Sequence, residues 1–255
     1  MELEQITWWH QVPLKDGRIT PGRSPVYRLE RQYLFDRIDF RGKSVLDIGC
    51  WDGYFSFSAE QRGATRVLGI DNLKFRGGTT DGFQFLHRHF QSSVEWREGS
   101  IFALPDERFD VVLCYGVLYH VNDPLTAAIN CFQAAKEQVA IEGMIFEDDA
   151  PLLSLLGKRP EFGLDRSNFY TMSTGYLKMV AEQNGFRLVD KAMRLWPMAK
   201  VSAKRWRGQR LTEQVLGKLP TDAARHRGVM LFERIANRAS EYPANCYSLP
   251  PQLRG

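Results

Sequence analysis

Val45-Leu46-Asp47-Ile48-Gly49-Cys50-Trp51-Asp52-Gly53 is the stretch that decides the fold of this chain. Ser44 to Ile48 is a short apolar run that Gly49 ends, the mark of a buried strand, and Tyr54 to Arg62 reads as a helix directly after it. Glycine in such a turn permits backbone torsions, and a close approach by a ligand, that a side chain would block. In open α/β sheets a nucleotide-like ligand lies against the carboxyl ends of the strands, at the topological switch point. A second apolar run, Arg66 to Ile70, leads to Asp71, where a carboxylate can accept hydrogen bonds from both hydroxyls of a ribose.

The alternation continues on the carboxyl side. Residues 80–91 read as a helix, Val94–Arg97 as a third strand and Phe109–Tyr115 as a fourth. Pro124–Ala135 reads as an amphipathic helix and Gln138–Phe146 as a fifth strand. Residues 147–170 hold several prolines and glycines and read as a connecting loop with room for a short helix. Ser173–Asn184 is then a helix that Gly185 terminates, and Phe186–Trp196 and Gly228–Ile235 are the last two strands. The pattern predicts an α/β, Rossmann-like, doubly wound sheet of seven strands. The expected organisation is an N-terminal cap segment over 1–41, a main domain over 42–235 with a basic insertion at 194–227, and a tail over 236–255.

At 255 residues, 44% hydrophobic and 25% charged, the chain can bury a core without disulfides or a structural metal. Its four cysteines, Cys50, Cys114, Cys131 and Cys246, include no C-x-x-C pair, and no His/Asp/Glu cluster has ligand spacing, so no metal is expected. Met1 to His10 carries acids and tryptophans in place of a basic, apolar leader, and no apolar run approaches the roughly 20 residues that span a bilayer. A reduced, cytoplasmic setting with no membrane partner is expected; the sequence leaves a homo-oligomer open. The net charge of +4 tolerates an anionic substrate or RNA without demanding one.

Three readings of the glycine loop compete. A dinucleotide fold uses G-x-G-x-x-G to bring a helix N-terminus to a pyrophosphate. Here Trp51 replaces the middle glycine and Ser56 the third, and Asp47 is awkward beside phosphates but suits a cationic amino-acid moiety. The third reading is a tight turn with no ligand. The loop, Gly69-Ile70-Asp71 and Gly116-Val117-Leu118-Tyr119-His120 together resemble the class I S-adenosylmethionine-dependent methyltransferases. They are most similar to the branch containing the tRNA wobble-uridine carboxymethyltransferases. That branch carries a matching G-V-L-Y-H and an R-N-x-Y-x-x-P-S stretch, echoed by Arg166-Ser167-Asn168-Phe169-Tyr170-Thr171-Met172-Ser173. The similarity covers roughly residues 8–235.

The resemblance implies S-adenosylmethionine as cofactor. It places the methionine part on the loop of Asp47, Gly49, Cys50, Trp51 and Gly53, and the ribose on Asp71 with Asn72 beside it. An acid after the third strand usually holds the adenine amino group. This chain has Ser100 there, followed by Ile101, which leaves either Ser100 with a backbone amide or apolar contacts. Tyr115 to His120 then faces the sulfonium. Tyr119 either favours the cationic centre through its ring quadrupole or is a packing tyrosine. His120 either takes a proton from an O–H or N–H nucleophile or caps the next turn. Asn168 and Tyr170 either orient the acceptor or satisfy loop backbone. Trp8-Trp9-His10 and Thr20-Pro21-Gly22 resemble a cap segment that closes over the cofactor, with packing as the commoner role of such aromatics.

The carboxymethyl branch holds an extra carboxylate on its cofactor with a cationic and aromatic set. Tyr119 and Arg227 match two members of that set. A family lysine has no counterpart where this chain reads Ile19-Thr20-Pro21-Gly22, and a tryptophan/lysine pair gives way to Arg28 to Tyr33. An unmatched carboxylate in a closed site is costly. The expectation is therefore a methyltransferase that uses ordinary S-adenosylmethionine and transfers methyl in line to an O, N or C nucleophile of a small biosynthetic acceptor. Arg227 then holds an acidic part of the substrate or forms a surface pair. The alternatives are a tRNA wobble-uridine carboxymethyltransferase using carboxy-S-adenosylmethionine, with tRNA as partner, and a non-catalytic protein that binds the cofactor. Arg194 to Arg210, interleaved with Trp196 and Trp206, could track a nucleic-acid backbone, but reads better as an amphipathic insertion with its charges in water.

Overall fold

The structure, a computed structural model, describes residues 3–25, 29–73, 79–155, 167–195, 226–236 and 238–239. Two short strands, β1 (His10–Gln11) and β2 (Ser24–Pro25), pair in parallel and lead to the helix α1 (Leu29–Phe35). Then β3 (Ser44–Ile48), α2 (Tyr54–Gln61), β4 (Arg66–Asp71), α3 (Asp81–Phe90), β5 (Glu95–Glu98) and β6 (Phe109–Tyr115) follow in regular alternation. After α4 (Pro124–Ala134) come β7 (Ala135–Gly143), β8 (Ile145–Phe146), β9 (Leu153–Leu155) and β10 (Tyr170–Ser173). The helix α5 (Thr174–Gln183) and the strands β11 (Phe186–Leu195) and β12 (His226–Arg234) complete the described chain.

Seven strands form one sheet, the number the sequence predicts, in the order β11-β12-β7-β6-β3-β4-β5. The five from β3 to β7 are parallel, and β12 runs against both of its neighbours. The chain steps outward from β3 to β4 and β5, then returns to β6 on the other side of β3. The switch point therefore lies between β3 and β6. Successive strand residues face opposite layers. Leu46, Ile48, Ile70 and Val112 pack with α4 and α5, while Val45, Val67, Val111 and Leu113 pack with α1, α2 and α3. The segment before β3 is built into that second layer, where Leu3, Ile6, Trp8, Val12 and Leu14 are buried.

The single fifth strand expected from Gln138 to Phe146 is divided. β7 begins at Ala135, directly after α4, and ends at Gly143; β8 leaves the main sheet and pairs in parallel with β10. The backbone passes close under the Tyr119 ring, which a side chain at Gly143 would meet at 3.3 Å. The Met144 carbonyl then turns away to accept from Met172 N at 3.0 Å and Thr171 Oγ1 at 2.9 Å. Inside the expected 147–170 loop, β9 pairs antiparallel with the other edge of β10, and the described part of that stretch holds no helix. Ser173, expected as the first helical residue, is the N-cap of α5, its hydroxyl accepting from Tyr176 N at 2.9 Å. Cys50, Cys114 and Cys131 are buried and joined in no disulfide among the described residues. Arg166, Cys246, residues 196–225 of the basic insertion and the tail beyond 239 lie outside the described residues. No helix among those described is long and apolar enough to cross a membrane.

Phe132 of α4 is fully buried, its ring centroid 5.2 Å from both Phe186 of β11 and Phe232 of β12. Phe132→Ala is expected to lower the unfolding free energy by about 3–5 kcal/mol. Urea titration checks this as a lower midpoint at an unchanged m value.

Candidate active site

Between β3 and α2 the backbone enters the left-handed region three times, with φ of 75° at Gly49, 50° at Trp51 and 82° at Gly53. A Cβ at Gly49 would lie 2.4 Å from Val117 Cγ2, and one at Gly53 would lie 2.7 Å from the rings of Phe57 and Phe83. Both positions need glycine for conformation and for space. Trp51 is a bulky residue in a region that disfavours it. Its N–H donates to Asp71 Oδ2 at 2.6 Å, and its ring leans on Trp9 with centroids 5.4 Å apart. Asp52, fully buried, accepts from Trp9 N at 3.0 Å and His10 N at 2.8 Å and pairs with His10 Nδ1.

At the carboxyl ends of β3, β4, β5 and β6 lies a cavity of about 370 Å³, within the range of small-molecule sites. Of the residues singled out from the sequence, Gly49, Trp51, Asp71, Asn72, Ser100, Ile101 and His120 converge on it. Asp71 sits at its rim, and its Oδ1 also accepts from Asn72 N at 2.7 Å. The 3-10 turn Leu118–His120 forms one wall. There His120 Nδ1 lies 2.9 Å from the Ser167 carbonyl oxygen. A carbonyl can only accept, so Nδ1 carries the proton and Nε2 is the basic nitrogen of the neutral ring.

The other candidates lie around the cavity without lining it. Asp47 is under the loop, its Oδ2 accepting the Ser56 hydroxyl at 2.6 Å. The Cys50 sulfur is turned toward Gly69, where a side chain would meet it at 3.0 Å. Tyr115 packs edge-on against Phe55, with centroids 4.7 Å apart. Tyr119 is buried behind Gly116: its Oη accepts from Arg227 Nη2 at 3.0 Å, and the guanidinium carbon lies 4.7 Å from its ring centroid. Tyr170 Oη donates to the Asn122 carbonyl at 3.2 Å, and Phe169 N donates to the Tyr119 carbonyl at 2.8 Å, so the 167–170 strand end straps the turn. Asn168 Oδ1 is buried on that strap with no hydrogen-bond partner among the described residues.

Sequence reasoning missed Phe102, Val121 and Asn122 in the lining, and two buried acids. Glu142 is fully buried, with Oε1 3.4 Å from Arg227 Nε; the visible signal was a lone acid in the apolar run of β7. Asp52 gave no such signal, because an aspartate in a glycine loop reads as a turn residue. The acids around the loop ionise differently. Burial pushes the Asp47 carboxyl up to about 6, against the Ser56 hydroxyl and the charge of His10. Burial also opposes ionisation of Asp52, but the His10 charge and the hydrogen bonds it receives outweigh this and hold it below the usual carboxylate value.

Folded Asp47 keeps its proton up to about pH 6, whereas an unfolded aspartate releases it near pH 4, by the order-of-magnitude reference value. The stability this group contributes is thus fully present below the lower value and is lost as pH rises through the higher one. Asp47→Asn keeps an acceptor for Ser56 and removes that loss. Relative to the native protein, its stability is expected to rise by about 2–3 kcal/mol from acid to neutral pH, measured by urea denaturation at both.

Residues 22–191 match the family described as "Methyltransferase domain". A tRNA U34 carboxymethyltransferase of Campylobacter hominis is 39% identical over 93 residues, 35% of this chain and 31% of that protein. A ubiquinone biosynthesis O-methyltransferase of Pseudomonas fluorescens is 36% identical over 137 residues, 51% of this chain and 53% of that protein. The chain thus spans from 31% to 53% of the length of these curated relatives. Among solved structures, the N-terminal domain of EvdMO1, determined in the presence of SAH and D-fucose, superposes with a TM-score of 0.57. The match is 16% identical and covers 91% of this chain and 92% of that one, a likeness of fold.

Proposed function

The chain belongs to the methyltransferase domain family, and from that premise we propose that it is an S-adenosylmethionine-dependent methyltransferase acting on a small-molecule acceptor. The observation that carries this reading is Asp71, a carboxylate at the rim of a cavity built on the carboxyl ends of four strands at the switch point. Two vicinal ribose hydroxyls need such a group. Ile70, Ile101 and Phe102 offer apolar surface to a purine, and Gly49 and Gly116 leave a wall without Cβ atoms.

When bound, S-adenosylmethionine supplies an electrophilic methyl on a cationic sulfur. The protein's part is to orient the acceptor in line and to exclude water. His120 Nε2 takes the proton of an O–H or N–H nucleophile, with the ring held in the required tautomer by Ser167. Asn168, whose buried Oδ1 has no partner among the described residues, orients the acceptor, and Tyr170 holds the strap to the turn through the Asn122 carbonyl; Tyr119 and Arg227 back the far end of the site. Residues 1–41 serve as the cap of the 42–235 domain, a role supported by the backbone donors that Trp9 and His10 offer to the loop. The O-methyltransferase relative supports a small acceptor methylated on oxygen.

The second reading, carboxymethyl transfer to tRNA, is favoured by the Tyr119–Arg227 pair and by the Campylobacter relative. Glu142 weighs against it, because a fully buried carboxylate beside Arg227 already balances that cation.

Mass spectrometry of the cofactor released from heat-denatured protein separates the two. S-adenosylmethionine or its demethylated product is expected; recovery of the carboxylated form would overturn the preference. Asp71→Ala is expected to weaken calorimetric S-adenosylmethionine binding about a hundredfold, through loss of hydrogen bonds to a charged acceptor. His120→Ala should leave that affinity within about twofold and slow transfer by about a hundredfold or more.

A further inference from the structure

We infer that Asp52 is a positioning residue for the cofactor: it clamps β1 to the glycine loop and so holds Trp51 in the left-handed conformation from which its N–H reaches Asp71. The inference rests on the function proposed above.

Asp52 stands at the start of α2 without capping it. The N-cap is Gly53, and no side chain bonds the first turn. The carboxylate turns instead to a segment 42 and 43 residues away, taking Trp9 N, His10 N and His10 Nδ1. Burying a charge costs free energy unless it is paired and hydrogen-bonded, and a strand-to-helix turn needs no charge to form. The function of so costly a group lies in what it joins.

On one side it joins a body that is itself fixed. Thr20 Oγ1 donates to the His10 carbonyl at 2.6 Å and accepts from Val12 N at 2.8 Å, and Ser24 N donates to the Trp9 carbonyl at 2.7 Å. Trp8 packs edge-on against Phe85 of α3, with centroids 5.6 Å apart. On the other side is Trp51, whose positive φ persists only where its surroundings over-determine it. Its ring both lines the cavity and leans on Trp9, while its N–H fixes Asp71 Oδ2. Release of the clamp frees Trp51 to relax out of the left-handed region, and Asp71 Oδ2 loses its donor while Oδ1 keeps Asn72 N.

The test is calorimetric titration of native protein, Asp52→Asn and His10→Gln with S-adenosylmethionine and S-adenosylhomocysteine, at a temperature where circular dichroism shows each fully folded. Each variant is expected to bind both compounds about tenfold more weakly, and the double variant no more weakly than either single one, because both act through one clamp. A group that only adds stability would lower the melting temperature and leave the Kd of the folded protein unchanged. Native Kd in folded Asp52→Asn overturns the inference, and His10→Gln decides by the same criterion if Asp52→Asn does not fold. Loss of the fold in both overturns it as well. A native protein that binds neither compound overturns the proposed function, and this inference with it; native binding beside unaltered variants overturns this inference alone.

Discussion

The chain has five residues, 49–53, in which to leave a buried strand and enter a helix without filling the space where strand ends meet a ligand. That constraint organises what surrounds it. The absence of a side chain at Gly49 lets the turn after β6 come in close through Val117, which sets two walls of the cavity against each other. Its absence at Gly53 lets Phe57 of α2 and Phe83 of α3 meet over the loop, with centroids 4.9 Å apart. The N–H of Trp51 reaches across to β4 and aims the carboxylate that closes it. One turn thereby aligns the ends of three parallel strands, and a cavity at the switch point is the space left between them.

Four acids sit in or near this region, and each meets the cost of burial differently. Asp47 resolves it by keeping a proton to about pH 6. Asp52 resolves it with His10 and two backbone donors, Glu142 with Arg227, and Asp71 with two backbone donors at the cavity rim. The partners of two of these acids make no part of the cavity lining: His10 is joined to Asp52, and Arg227 to Glu142 and Tyr119. Asp71 is the carboxylate that faces the cavity. A carboxylate in that place receives ribose hydroxyls in dinucleotide sites as well, so it is Trp51 and Ser56 in place of the second and third glycines that separate this loop from one.

The main sheet was legible because each of its strands is written in local sequence: SVLDI, RVLGI and FDVVLCY are apolar runs closed by glycine, acid or turn. Asp71 and the glycine turn could be placed from that register, since the end of a parallel strand is also the edge of the site, whereas Trp51 was placed by the family resemblance. The division of β7 from β8 was marked in QVAIEGMIF only by Gly143, and what gives that glycine its meaning is a ring 24 residues earlier, Tyr119, lying where a side chain at Gly143 would be. The role of Asp52 was hidden for the same kind of reason. Its partners are local to one another but distant from it, and a polar residue in a tight turn is expected to face water.

This division between local and distant information runs along the site itself. The half proposed to face the cofactor is built from strand ends, so its geometry follows from the sheet. The half proposed to face the acceptor is built from the 3-10 turn after β6 and the strap of residues 167–170, which ends in the small β8-β10-β9 sheet. Its defining contacts, His120 to Ser167 and Asn122 to Tyr170, join segments 47 and 48 residues apart. A strap held by three hydrogen bonds and a three-stranded sheet can change shape and polarity while β3, β4 and Asp71 remain in place. Relatives whose names carry acceptors as different as a tRNA base and a ubiquinone precursor pathway can accordingly resemble the same chain to a similar degree.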